Sequence, residues 1–179
     1  MSRVINLESP GKLRRQLMRT SAEIIRRLSV KHRVDDEARD MAALLVYCFR
    51  QIDDGIDVSV QAWEKRDYWL KAEKFRLTWA WVRQAADDLE QIILSDDWDR
   101  LAPTLIELLP HFGDIKIAKF TRQPSLWQGT YQRFMHEQRP DRDPDRGRTC
   151  DDDDEGDTLL AALFGPLIQG GAIGAVYLA

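Results

Sequence analysis

Residues 68–93, YWLKAEKFRLTWAWVRQAADDLEQII, decide how this chain is read. Tyr68, Ala72, Phe75, Trp79, Val82, Ala86, Leu89 and Ile93 recur at alternating steps of four and three. That repeat places one apolar side chain per turn on the same face of a helix, the seam of an antiparallel bundle or coiled coil. A second stripe, Leu70, Leu77, Trp81, Ala85 and Ile92, lies well over a right angle from the first at ~100° per residue. The helix is therefore apolar over more than half its circumference. Two readings follow. Either it is a central helix with neighbours on both sides, or the second stripe, with Leu70, Leu77, Trp81 and Ile92 as its core, faces a second copy or a protein partner.

Upstream, Ser9 and Pro10 are a helix start, Pro at the first helical position costing no hydrogen bond. The helix so begun buries Leu13, Leu17, Ile24 and Leu28 and carries Lys12, Arg15, Arg19 and Arg26 on its polar side. A second helix opens at DDEARD (35–40), where carboxylates suit the positive helix N-terminus. Its stripe runs Ala38, Met41, Ala42, Leu45, Cys48, Phe49, Ile52, Ile56, Ser59 and Trp63, straight through Gly55, and predicts one long helix, with a bend at the glycine if anywhere. Downstream, SDDWD (95–99) caps a fourth helix holding Leu101, Leu105, Leu108 and Leu109, interrupted by Pro103. DIKIAKFTR (114–122) fits helix or strand, and a last helix from Ser125 to about Glu137 aligns Trp127, Tyr131 and Phe134.

The fold class is thus all-α: an antiparallel helical bundle over residues 9–137, three long helices plus shorter C-terminal ones. Residues 138–158 lack periodicity and read as a disordered acidic linker. Leu159–Ala179 closes the chain as an apolar, glycine-rich tail without a charge. Its 21 residues match a membrane span in length, and Gly170 with Gly174 form a GxxxG pattern. Pro166, Gln169, the glycines and an acidic flank weigh against insertion, so docking in a groove and a loose tail stay open beside a membrane anchor.

Charge is unevenly spread. The formal net charge is −4, yet residues 1–33 hold nine Lys/Arg against Glu8 and Glu23. A row of cations on the first helix (Lys12, Arg15, Arg19, Arg26), with Lys116, Lys119 and Arg122 as a second cluster, is a candidate anionic-ligand surface. Nucleic-acid phosphates, an acidic protein, or the chain's own aspartate run at 151–154 all suit it chemically. The two cysteines, Cys48 and Cys150, form no disulfide framework, which points to a reducing cytoplasm.

Catalytic patterns fare poorly. Asp53, Asp54 and Asp57 spell DDxxD, which superficially resembles the magnesium motif of class I prenyl synthases. Such sites need a second acidic motif on a facing helix, but Asp36 and Asp40 lie on the same helix, 17 residues or ~25 Å away. The same objection meets the resemblance of Glu37, Asp40, Asp54 and Asp57 to the carboxylate clusters of all-helical nucleotide pyrophosphohydrolases. Pairing of these aspartates with Arg50 on a solvated face is the plainer account. His32, His111 and His136 stand far apart near helix ends, and no cofactor motif is present. The expectation is a non-enzymatic binding or adaptor module without cofactor, self-associating or meeting a protein partner, with nucleic-acid binding and membrane tethering as alternatives.

Overall fold

The computed structural model describes residues 9–138, and within them the chain is helices, short 3₁₀ turns and loops, with no strand. The α-helices are α1 (Pro10–Leu28), α2 (Asp36–Glu64), α3 (Trp69–Trp79), α4 (Trp81–Ser95), α5 (Leu101–Leu108) and α6 (Thr130–Glu137). They form an all-α bundle. The predicted linker from residue 139 onward and the apolar tail Leu159–Ala179 lie outside the described residues.

α1 starts as the sequence predicts, with Ser9 extended and Pro10 in the first turn, and ends with Arg26 and Arg27 against its negative C-terminus. At the start of α2 the Asp35 carboxylate accepts from the Ala38 N–H at 2.8 Å, while Asp36 and Glu37 sit in the first turn. α2 then runs unbroken for 29 residues, ~43 Å, through Gly55. Every residue from Met41 to Phe49 is buried, so this half of α2 is covered on all sides. The central helix of the bundle is therefore α2. α1, α4 and α6 pack along it and α3 meets its C-terminal part.

The single third helix that the heptad suggests is two helices, parted at Ala80. Neither proline nor glycine causes the break. The Thr78 hydroxyl donates back to the Lys74 carbonyl at 2.8 Å, a bond that bends helices, and the Ala80 N–H reaches only the Leu77 carbonyl at 3.5 Å, a tightened turn. Beyond the break Trp81 stacks on His111 at 4.0 Å between ring centres and meets Phe49 and Phe112 edge-on, which carries α4 along the core.

Asp96, in the left-handed region at φ 54°, stops α4 by donating its N–H to the Ile92 and Ile93 carbonyls. Pro103 does not interrupt the next helix, contrary to the sequence reading. It occupies the first turn of α5, where backbone N–H groups have no intrahelical acceptor to lose. Residues 114–122 are loop, neither helix nor strand. The last helix is shorter than predicted: Pro124–Leu126 is a 3₁₀ turn, and Gly129 at φ +78° delays α6 to Thr130.

Candidate functional site

The break at Ala80 divides the second apolar stripe. Leu70 and Leu77, on α3, are 90% and 68% exposed. Ala72 is the only buried residue of that helix, and both leucines point away from it. Trp81 is half-buried in the aromatic cluster, and Ile92 is 0% exposed. Ile92 therefore cannot belong to a partner surface as the sequence suggests. α4 packs on both α2 and α5, and residues of both its stripes are buried. What remains outward is the α3 half, with Tyr68 and Trp69 beside it, 57% and 59% exposed.

α3 is held to the rest by aromatic contacts more than by depth of burial. Phe75 meets Trp63 edge-on at 4.9 Å, and the Arg14 guanidinium of α1 sits 4.8 Å from the Phe75 ring centre and 5.1 Å from that of Trp79. Burial, and secondarily the Arg15 charge, lowers the Arg14 pKa.

The carboxylates that resemble metal motifs are occupied with holding helices together. Asp53 and Asp57 take Arg83 of α4 at 2.8 and 3.5 Å. Arg50, expected to pair with them along α2, instead reaches across to Glu90 of α4 at 2.6 Å. Asp54 is left exposed, its pKa raised by partial desolvation and by Asp53 and Asp57. Glu37 pairs with Lys31 at 2.7 Å. Asp40 caps α6, accepting from the Gly129 and Tyr131 N–H groups at 2.9 Å each. Among the described residues no three His, Cys, Asp or Glu side chains converge on a point where a metal ion could sit. Cys48 is fully enclosed, and that burial pushes its thiol up to about 12.

The basic residues are gathered into a groove. On α1, Lys12, Arg15, Arg19 and Arg26 fall within an arc of about 60° over ~21 Å of helix, and all four are exposed. The loop at 114–123 crosses the C-terminal half of α1 and adds its own cations. Its anchor is Glu23, the lone carboxylate of the helix and 3% exposed. Glu23 accepts from the Thr121 N–H (2.8 Å), the Arg122 N–H (2.7 Å) and the Thr121 hydroxyl (3.0 Å). Burial raises its pKa, but these donors together outweigh it and hold the carboxyl below the usual glutamate range. Arg26 donates to the Ile117 carbonyl at 2.8 Å and Arg27 to the Arg122 carbonyl at 3.1 Å.

Between loop and helix lies a cavity of about 220 Å³, lined by Arg19, Glu23, Lys116, Lys119, Thr121 and Arg122 among others. Arg122 is held in place by Nε–H to the Thr20 hydroxyl (3.0 Å) and Nη1–H to the Thr121 hydroxyl (2.9 Å). Sequence reasoning names the cations of both clusters but misses Glu23 and Thr20, which bring them together. A single acid on an otherwise basic helix is the one signal that points to Glu23.

No helix among the described residues is long and apolar enough to cross a membrane. Compared with known proteins, the chain matches no family model, no curated protein and no solved structure.

Proposed function

We propose that the chain is a non-enzymatic binding module that self-associates through the outer face of α3. The observation that carries this reading is the exposure of Leu70 and Leu77, 90% and 68%, one above the other on a helix whose opposite face is docked. Two leucines seven residues apart form a ridge two turns long, with the exposed Trp69 next to Leu70 in the chain. A two-fold axis across antiparallel copies of α3 sets Leu70 of each copy against Leu77 of the other, the self-complementary pattern of an isologous dimer.

Magnitude limits what this contact achieves. Burying a leucine is worth about 1.5–3 kcal/mol, so the four at such a seam supply roughly 6–12 kcal/mol. Association costs about 4–15 kcal/mol before any affinity appears. The expected dimer is weak and concentration-dependent.

Sedimentation equilibrium on the full chain over a wide concentration range tests this. The wild type should rise from monomer toward dimer mass, and Leu70→Glu/Leu77→Glu should stay monomeric with an unchanged circular dichroism spectrum. A wild type that remains monomeric throughout overturns the reading. Trp81→Glu should instead destabilise the fold, because Trp81 packs against Phe49, His111 and Phe112.

A further inference from the structure

We infer that the groove between α1 and the 114–123 loop is a phosphate site for single-stranded nucleic acid, with one backbone phosphodiester seated among Arg19, Lys116, Lys119 and Arg122. This is independent of association through α3. The first support is preorganisation. Arg122 spends Nε–H and one Nη1–H on Thr20 and Thr121, which fixes its plane and leaves three N–H donors of its five for a ligand. A guanidinium already fixed in position gives two-pronged hydrogen bonds to phosphate with little further loss of freedom.

The second is charge. Four cations line the cavity against Glu23, whose oxygens are taken by Thr121, Arg122 and Arg27. Arg19, Lys116 and Lys119 make no ion pair or side-chain hydrogen bond with any described residue, while most other cations of the bundle are committed to carboxylates, carbonyls or aromatic rings. Four cations against one carboxylate leave a net positive charge around the cavity, which raises the local concentration of anions.

Shape selects the class of anion. About 220 Å³ is smaller than the roughly 300–1,000 Å³ of a site that encloses a whole drug-sized ligand, so the cavity suits one group of a longer molecule. The basic row continues along α1 from Arg19 to Arg15 and Lys12, ~10 Å in all, enough for the next phosphates of an extended strand. Phe120, between the cavity-lining Lys119 and Thr121 in the chain, is 43% exposed, with the Arg27 guanidinium 4.5 Å from its ring centre. An exposed aromatic next to a cationic track is the combination that single strands use, base stacking on the ring and phosphates on the cations. An acidic peptide would use the cations but has no need of the ring.

Fluorescence anisotropy of the full chain with a labelled oligothymidylate of about fifteen nucleotides tests the assignment. The wild type should bind at about 50 mM salt and weaken steeply as salt rises, with a log–log slope near −2 if the seated phosphate and two more along α1 are neutralised. Arg19→Glu/Lys119→Glu should weaken binding about tenfold or more and shallow the slope by about 0.7, the share of one phosphate. Lys116→Glu alone should give part of that loss, and stands in if the double variant fails to fold. Phe120→Ala should weaken binding severalfold without changing the slope, since stacking releases no counterions. Absence of binding by the wild type overturns the inference. So does a charge-reversed variant that binds as well as the wild type, or an oligoglutamate of equal charge competing as strongly as unlabelled oligothymidylate, which would assign the groove to an acidic protein.

Discussion

α3 and α4 are two halves of one sequence pattern with opposite fates. Both carry two apolar stripes. In α4 both are buried, and Val82, Ala85, Ala86, Leu89, Ile92 and Ile93 are all core. In α3 one stripe is only partly covered and the other stands in water, with Ala72 alone buried. The difference is not one of composition. α4 packs against both α2 and α5, whereas α3 packs against α2 and the Arg14 side chain and leaves Leu70 and Leu77 exposed. An apolar stripe says that a helix side prefers to leave water. It does not say whether a neighbour arrives.

That contrast is most sharply broken by substitution within the stripe. Ile92→Ala should cost about 2–5 kcal/mol, the loss of a buried branched side chain plus the cavity left behind, whereas Leu70→Ala should fall within about 0.5 kcal/mol of the dilute wild type. Urea midpoints of the two variants check this, and equal midpoints would mean that α3 is as enclosed as α4.

A smaller effect concerns the groove. Glu23→Gln should cost about 1–3 kcal/mol at neutral pH, because a neutral amide accepts less strongly from the Thr121 and Arg122 N–H groups and meets them with a donor of its own. The Glu23 pKa is lower folded than unfolded, so its contribution is complete above the ordinary glutamate value and is lost as pH falls through the folded pKa. The gap between wild type and variant should therefore close on acidification, which denaturation at pH 7 and pH 3 measures. A gap that persists in acid would show that packing, and not the charge, holds the loop.

Arg14→Ala sharpens the comparison locally. Losing the guanidinium from between Phe75 and Trp79 should cost about 0.5–1 kcal/mol. The loss should appear in amide exchange as faster opening of α3 with α4 unchanged, while uniform acceleration would make the two helices one cooperative unit. Least of all, Arg83→Ala should shift stability by under about 0.5 kcal/mol, and salt should erase the shift, since the guanidinium that joins Asp53 and Asp57 is 62% exposed.

Much of the fold is legible in the sequence because it rests on local rules. Ser9–Pro10 and Asp35 mark helix starts through backbone donors that any helix leaves unpaired, and the stripe through Gly55 predicts the unbroken α2. The seam residues from Ala72 to Ile93 face inward on both sides of the Ala80 break, fully on α4 and partly on α3. The break itself is not legible: a hydroxyl bonded back to the carbonyl four residues earlier occurs also at Ser59 in the unbroken α2, and the His111 and Phe112 rings against Trp81 come from a distant part of the chain. The partners of the charges are hidden too. Arg50 has aspartates at helical spacing on its own helix, yet its pair is Glu90, 40 residues away, because the facing helix places that carboxylate at 2.6 Å.

By itself, then, the sequence determined an all-α bundle, the helix starts, the inward seam and the identity of the cations, all properties set by residues within a few turns of one another. Tertiary structure alone decided that α2 is the centre, that Ile92 is core while Leu70 is bare, and that Glu23 ties residues 121 and 122 to α1 so that two distant basic clusters share one groove. Periodicity fixes the direction of a side chain about its own helix axis. What it meets there depends on segments tens of residues away, brought close only by the packing of the whole.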